Sequence, residues 1–249
     1  EYMRNRHIPF GIMCDGMLPT EDGSLKRCLK KHLIGAASFW LSSGSVTTKQ
    51  LLKYGAKKDQ IYQYPFSSVR EAEIAAAPFD KRIYKQKIGC KSGNLILYVG
   101  QFIHRKGIDI LLKAHAPLSD SAELRIIGGE NYPLEQEYKN VVFEGFKTKE
   151  ELKNYYAAAD VFVLPTREDI WGLVVNEAFA FGLPVITSDN CGAGLEMITD
   201  GVNGFIFPNE DADALRSAIT KALNLNCFEA STKTAEKYSL EKMAAITMN

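Results

Sequence analysis

The sequence predicts an α/β fold built on doubly wound parallel sheets, and three observations predict it. After residue 90, short apolar runs alternate with helical patterns: Leu95-Ile96-Leu97-Tyr98-Val99, then Leu124 to Ile127, Val141 to Phe143, Val161 to Leu164 and Pro184 to Thr187. The first of these runs is apolar at every residue rather than at every second one, as expected of a strand when helices cover both faces of its sheet. Finally, the runs give way to glycine, proline and charged residues, the loop chemistry expected at the ligand-binding edge of such a sheet.

The elements follow in order. In the first 90 residues, Ile8 to Met13 and Ala37 to Leu41 read as strands, Ser45 to Tyr54 as a helix stopped by Gly55, and Ile61 to Tyr64 as a third strand. Residues Ser67 to Lys91, with Pro78 and several charges, read as the crossing between two halves. Three strands are too few for a complete doubly wound domain. Residues 1–88 are therefore expected to be part of an N-terminal domain and 89–238 a fuller C-terminal one, with a helix in 239–249 crossing back to the first. Within the second domain, apolar periodicity marks helices at Ile108 to His115, Lys149 to Ala159 and Leu173 to Phe181. Further helices fit Asp211 to Leu223, starting from Asn209-Glu210, and Leu240 to Met248.

Composition narrows the function classes. The 249 residues are 46 % hydrophobic and 24 % charged, enough for a sizeable core. Thirty basic and thirty acidic residues balance to zero, so no overall field draws the chain to nucleic acid or to an anionic surface. No apolar run approaches the roughly 20 residues that span a bilayer. The five scattered cysteines form no CxxC pair, which predicts reduced thiols in a cytoplasmic protein rather than disulfides or a zinc site. The chain starts at Glu1 without a methionine or a signal-like stretch, and reads as a piece whose start is missing.

Three stretches carry candidate chemistry. In "PTREDIWGLVVNEAFAFGLPVITSD", residues 165–189, a strand ends and a helix starts near Gly172. The helix start would aim its amides at the sheet edge, where they favour an anion such as a phosphate. Asp169 and Glu177 are eight positions apart, and Glu177 shares a helix face with Leu173, Val174 and Phe181. A carboxylate there needs hydrogen bonds, which ligand hydroxyls would supply. A structural alternative is that Asp169 caps the helix and a neighbouring backbone amide satisfies Glu177. In "YVGQFIHRKGIDILLKA", residues 98–114, Gly100 follows a strand and Arg105-Lys106 precede a helix, placing two cations where a phosphate would sit; an exposed basic loop is the alternative. In "RIIGGENYP", residues 125–133, Gly128-Gly129 end a strand in either a ligand-approach turn or an ordinary one.

Other motifs read as structural. Asp211-Ala212-Asp213 spells a cation-binding triplet but opens a helix, so it reads as capping. The GxGxxG and GxSxG fingerprints are absent, and the four histidines show no ligand spacing. "SLKRCLKKH", residues 24–32, has four basic residues and no acid; it reads as a solvated face or as a patch meeting anionic lipid or a pyrophosphate acceptor.

Together these motifs resemble the retaining nucleotide-sugar glycosyltransferases of family 4, the group 1 transferases of the GT-B fold. "PTREDIWGLVVNEAFAFGLPVITSD" resembles their acid-x7-acid signature. "VGQFIHRKGIDILLKA", "LRIIGGE", "VVFEGFKTKEELKNYYAAADVFVLPT" and "TDGVNGFIFPNEDADAL" fall in the same order and spacing. Residues 95–225 carry the resemblance strongly; "GMLP" and "ASFWLSSGSVTTKQLLKYGAKKDQIYQYPF" carry it more weakly. The resemblance implies two Rossmann-like domains, the first incomplete here, with a nucleoside diphosphate sugar (UDP-sugar as the expected donor) bound in the cleft by residues 89–238. It implies that Lys106 neutralises the diphosphate, Asp169 bonds the donor sugar and Glu177 the ribose. The segments Ile170, Trp171, Gly172, Leu173 and Val174 would hold phosphates and sugar, and Phe143 would lie along the base. Gly100 and Gly129 would mark close approaches to the donor.

Three positions depart from the family. Asp169, beside Glu168, stands where glutamate is usual. Gln101 stands where a basic residue is usual, leaving Arg105 as the second charge. Asp15 stands where a histidine is usual. The expected activity is metal-independent, cofactor-free hexosyl transfer in bacterial polysaccharide or cell-envelope synthesis, with a glycan or lipid-linked acceptor and peripheral membrane contact through residues 24–32. The alternatives are a nucleotide-sugar-binding module without turnover and a sugar-nucleotide epimerase.

Overall fold

The computed structural model describes residues 2–129 and 137–247, which form two parallel sheets. A one-turn helix α1 (Tyr2–Asn5) precedes strand β1 (Gly11–Cys14), α2 (Ser24–Ile34), β2 (Phe39–Ser42), α3 (Ser45–Lys53) and β3 (Ile61–Gln63). Strands β1-β2-β3 form the first sheet in that order, with Gly11 opposite Phe39 and Trp40 opposite Ile61. The expected strand from Ile8 begins only at Gly11, since Pro9 has no N–H to give to a ladder. Gly55, at φ 97°, ends the chain turn after α3 as the sequence predicts.

The segment read as a crossing contains a helix of its own, α4 (Lys81–Lys87), capped by Asp80. Beyond it come β4 (Asn94–Val99), α5 (Ile108–His115), β5 (Ala122–Ile127), β6 (Val141–Glu144), α6 (Lys149–Ala158), β7 (Val161–Leu164), α7 (Leu173–Ala180) and β8 (Val185–Ser188). The chain then runs through α8 (Gly192–Met197), β9 (Gly204–Phe207), α9 (Ala212–Ala222), α10 (Phe228–Lys237) and α11 (Leu240–Thr247). Sequence reading foresaw no elements at α4, α8, β9 or α10. It started the helix of Asp211 too early; Asp211 is the cap, its carboxylate accepting from the Ala214 amide at 2.8 Å. Met248, the expected end of the last helix, lies outside the described residues.

The second sheet has the order β6-β5-β4-β7-β8-β9, all parallel. The chain winds outward one way from β4 and the other way from β7, so the loops after these two central strands lead to opposite sides of the sheet. A crevice opens at such a switch point, and it lies between the loop after β4 and the loop after β7. Helices cover both faces, which is why β4, β5, β7 and β8 are buried almost residue for residue.

The two sheets meet directly. Ser45, at the start of α3, gives both its amide and its hydroxyl to Glu196 Oε2 of α8, each at 2.9 Å. Gly16 lies so close to the Ile170 carbonyl that a Cβ would fall 2.0 Å from the oxygen. At the other end, Leu240 donates its amide to Val69 at 2.8 Å, and Ser67 Oγ donates to the Tyr238 carbonyl at 2.7 Å.

Candidate functional site

The loop after β4 is shaped to press on the end of β7. Residues His104–Lys106 make one 3-10 turn, and Gly107 follows at φ 69° with space for a Cβ closed off by the Pro165 carbonyl, 1.9 Å away. The two loops are then stitched together. The Arg105 carbonyl accepts from the Arg167 amide at 2.8 Å and the Thr166 hydroxyl at 3.0 Å, while Arg105 Nη1 donates to the Glu168 carbonyl at 2.7 Å. Arg167 grips both oxygens of Asp109 at 2.8 Å, a bidentate pair that fixes the loop to α5.

That stitching brings Lys106 to Asp169, Nζ to Oδ2 at 2.5 Å, from 63 positions away. Asp169 is buried, and its backbone is tied on both sides, its amide to the Asn190 carbonyl and its carbonyl to the Gly192 amide, each at 2.9 Å. It does not cap α7. The cap position is Gly172, at φ 97°, without a side-chain bond. The Leu173 and Val174 amides at the start of α7 have no intrahelical partner, and these two residues line a cavity of about 390 Å³. Gly100, Gln101, Lys106, Asp169, Ile170, Trp171 and Gly172 line it too, with Asp15 and Phe66 on the side of the first sheet.

Trp171 forms the floor. Its Nε1 donates to Asn176 Oδ1 at 3.0 Å, Asn176 donates in turn to the Phe66 carbonyl at 3.2 Å, and Phe66 meets the Trp171 ring edge-on at 5.7 Å. Sequence reading missed Phe66 and Asn176, and named Asp15 only as a departure. Their signal is three-dimensional: each acts through a residue distant in the chain.

Glu177 sits apart. It does not line the 390 Å³ cavity but a smaller hollow one helical turn on, beside Glu73, Lys149 and Tyr156. The Tyr156 hydroxyl donates to Glu177 Oε2 at 2.8 Å, and burial pushes the carboxyl's pKa up, with the tyrosine bond and Lys149 opposing. The partner within the protein is thus a phenol rather than a backbone amide.

The remaining candidates lie at the rim or behind it. Arg105 and Glu168 are exposed and line no part of the cavity, meeting each other through the Glu168 carbonyl. Gly129 lies under the Phe102 ring, where a Cβ would fall 2.5 Å from ring carbons, and Phe102 meets Phe143 edge-on at 5.8 Å. These form a corner at the ends of β5 and β6, outside the cavity lining; residues 130–133 of that stretch lie outside the described residues. Among the described residues no group of three or more His, Cys, Asp or Glu is placed to hold a metal.

The basic stretch 24–32 forms most of α2, which has no buried residue. Leu25, Leu29 and Leu33 make one stripe, exposed by 84 %, 57 % and 57 %. Two of its cations are engaged locally: Lys26 and Lys30 pair with Asp22 at 3.3 and 2.8 Å. Among the described residues no helix is long and apolar enough to cross a membrane.

Residues 80–239 match the family described as glycosyl transferases group 1. An uncharacterized glycosyltransferase, MJ1607, of Methanocaldococcus jannaschii is 31 % identical over 197 residues, covering 72 % of this chain and 50 % of its own. The lipopolysaccharide glucosyltransferase WaaG of Escherichia coli is 31 % identical over 189 residues, covering 68 % of this chain and 50 % of its own. The chain spans about half the length of these curated relatives. Among solved structures, Anabaena Alr3699/HepE in complex with UDP superposes with a TM-score of 0.81 at 17 % identity, covering 99 % of this chain and 72 % of its own. The fold is GT-B, with parallel α/β sheets of Rossmann type on the two sides of a cleft.

Proposed function

The chain belongs to the group 1 glycosyl transferases, and from that premise we propose that it transfers a hexose from a nucleoside diphosphate sugar to a glycan or lipid-linked acceptor, with retention of anomeric configuration and without a metal. The observation that carries this reading is the cavity at the switch point, where Lys106 and the start of α7 converge. A diphosphate there meets an ammonium and two free amides in a partly buried site. As the bond from sugar to phosphate breaks, charge grows on the departing oxygen, and fixed donors aimed at it lower the barrier most. A bound metal is then not needed for that task.

Lys106 and Asp169 have linked roles in this scheme. Without donor they neutralise each other. When phosphate oxygens take over the ammonium, Asp169 is released to accept hydrogen bonds from the sugar. In this reading the ribose reaches beyond the cavity toward Glu177, one turn further along α7, whose Oε2 accepts from the Tyr156 hydroxyl. UDP is the expected nucleotide, in keeping with the UDP held by the Anabaena neighbour. The setting is bacterial polysaccharide or lipopolysaccharide assembly, as the name of the Escherichia coli relative suggests. We place the protein at the cytoplasmic face of the membrane, touching it through α2, whose basic residues flank an exposed leucine stripe. Reversing Arg27 and Lys31 of that helix should weaken sedimentation with anionic vesicles, and unchanged sedimentation would remove the membrane contact.

The test of the donor site is thermal stabilisation by UDP, GDP, TDP and ADP and their sugars, in EDTA, beside Lys106→Ala. A nucleotide at about 100 times its dissociation constant adds about 2.7 kcal/mol of stability. The expected result is metal-independent stabilisation by one nucleotide, lost in the variant together with on the order of a hundredfold in turnover. No response to any of the four would remove the reading. Binding without turnover in the presence of acceptor would leave a nucleotide-sugar-binding module.

A further inference from the structure

Asp15 faces the same cavity from the first sheet, and the scheme above does not use it. It follows β1 directly, and its Oδ1 accepts from the Tyr64 hydroxyl at 2.7 Å. Tyr64 is 2 % exposed and meets Phe66 edge-on at 6.2 Å, so the phenol that holds Asp15 is built into the cavity wall through Phe66 and Trp171. A carboxylate has room for about four hydrogen bonds. One phenol leaves most of that capacity to a ligand.

The charges of the cavity are uneven. Its described lining holds two carboxylates, Asp15 and Asp169, against one ammonium, Lys106. The cation and the helix start stand together on the side of the second sheet and draw the diphosphate there. The end of the donor that points at Asp15 is then the sugar. With Lys106 committed to the diphosphate, an anionic sugar would meet two like charges and no cation among these lining residues.

We propose that Asp15, held by Tyr64, is a specificity-determining residue: it accepts hydroxyls of a neutral hexose and turns away sugars that carry their own carboxylate. This rests on the donor-site reading and names the class of sugar within it. Uronic acid donors are the excluded class, because they differ from the neutral hexose donors only at C6, where a carboxylate replaces the hydroxymethyl group.

The experiment compares UDP-glucose with UDP-glucuronate by calorimetric titration of the 249-residue chain, using GDP-mannose and GDP-mannuronate in the same way if the guanosine donor binds. The native chain should prefer the neutral sugar by at least about tenfold, in the manner of a site built with like charge against the wrong ligand. Asp15→Asn should bring the two within about threefold, and Tyr64→Phe, which leaves the carboxylate in place, should keep the preference for the neutral sugar. The unliganded melting temperature of each variant reports whether it has folded. Equal affinity for the two sugars in the native chain overturns the proposal, as does a preference that Asp15→Asn leaves unchanged. If the nucleoside diphosphates themselves fail to bind, the donor site falls and this assignment with it. If they bind and the preference is absent, only the role of Asp15 falls.

Discussion

In the six-stranded sheet, Leu95 to Tyr98 of β4 and Val161 to Leu164 of β7 are fully buried, while in the three-stranded sheet Met13, Phe39 and Tyr62 are 49 %, 40 % and 54 % exposed. The larger sheet has one continuous core of strand and helix residues; the smaller has Trp40, Leu51, Ala37 and Ala56 with a few partly buried neighbours. The difference divides the work of the cavity. The half that offers Lys106 and the start of α7 is rigid by its own packing. The half that offers Asp15 has a small core and is bonded to the six-stranded half through Ser45 and Glu196.

The comparison is tested most severely in the two cores. Phe162→Ala should cost about 3–5 kcal/mol, as large-to-small changes of a buried aromatic do, and should abolish stabilisation by nucleotide along with the larger sheet. Trp40→Ala carries a similar local cost, yet the six-stranded sheet and its response to nucleotide should survive. Thermal melts with and without UDP decide it, and equal loss of response in both variants would mean that the halves do not stand independently.

A smaller effect probes the tie between them. Glu196→Ala removes the acceptor of the Ser45 amide and hydroxyl. Loss of a carboxylate at a helix start costs about 0.5–1 kcal/mol. Hydrogen exchange should rise across α3 and leave β4 and β7 as they were; faster exchange in β4 would contradict the division.

The smallest expected effect depends on pH. Burial raises the Glu177 carboxyl above its ordinary value, so the folded state prefers it protonated. The stability it contributes is full below the unfolded value, about 4.3, and is lost as pH rises through the higher folded value. Glu177→Gln should therefore be more stable than the native chain at pH 7, with the gain fading at pH 4, in paired urea melts. A gain that is the same at both values would locate its origin elsewhere than in the charge.

The same division explains what the sequence could show. Strands of the larger sheet were legible within one or two residues because a run such as Leu95 to Val99 has few other ways to be buried. β9 was not: Gly-Phe-Ile-Phe is four residues long and starts with a glycine whose Cβ would fall 1.9 Å from the Val185 carbonyl. α8 was hidden because Gly192-Ala193-Gly194 has little helical preference, its path being set by contact with Ile170 and Thr187. In the site, the residue types Lys106, Asp169 and the helix start were readable, since loop position after a strand dictates them. Their partners were not. Tyr156 beside Glu177, Asn176 beneath Trp171 and Tyr64 behind Asp15 are bonds across 21, 5 and 49 positions. No local pattern encodes which phenol reaches which carboxylate.

Gly16 stands against the Ile170 carbonyl with no room for a methyl group. The two halves therefore touch there backbone to backbone, and a side chain at this position would force the contact apart. Every other residue type at that position would act as a wedge, holding Asp15 away from Lys106 while leaving each fully intact. A site can thus be lost at a place that carries no charge, binds nothing and belongs to no core. A change at Gly16 should therefore weaken stabilisation by nucleotide while leaving Lys106 and Asp169 as they are, which thermal melts with and without UDP would show.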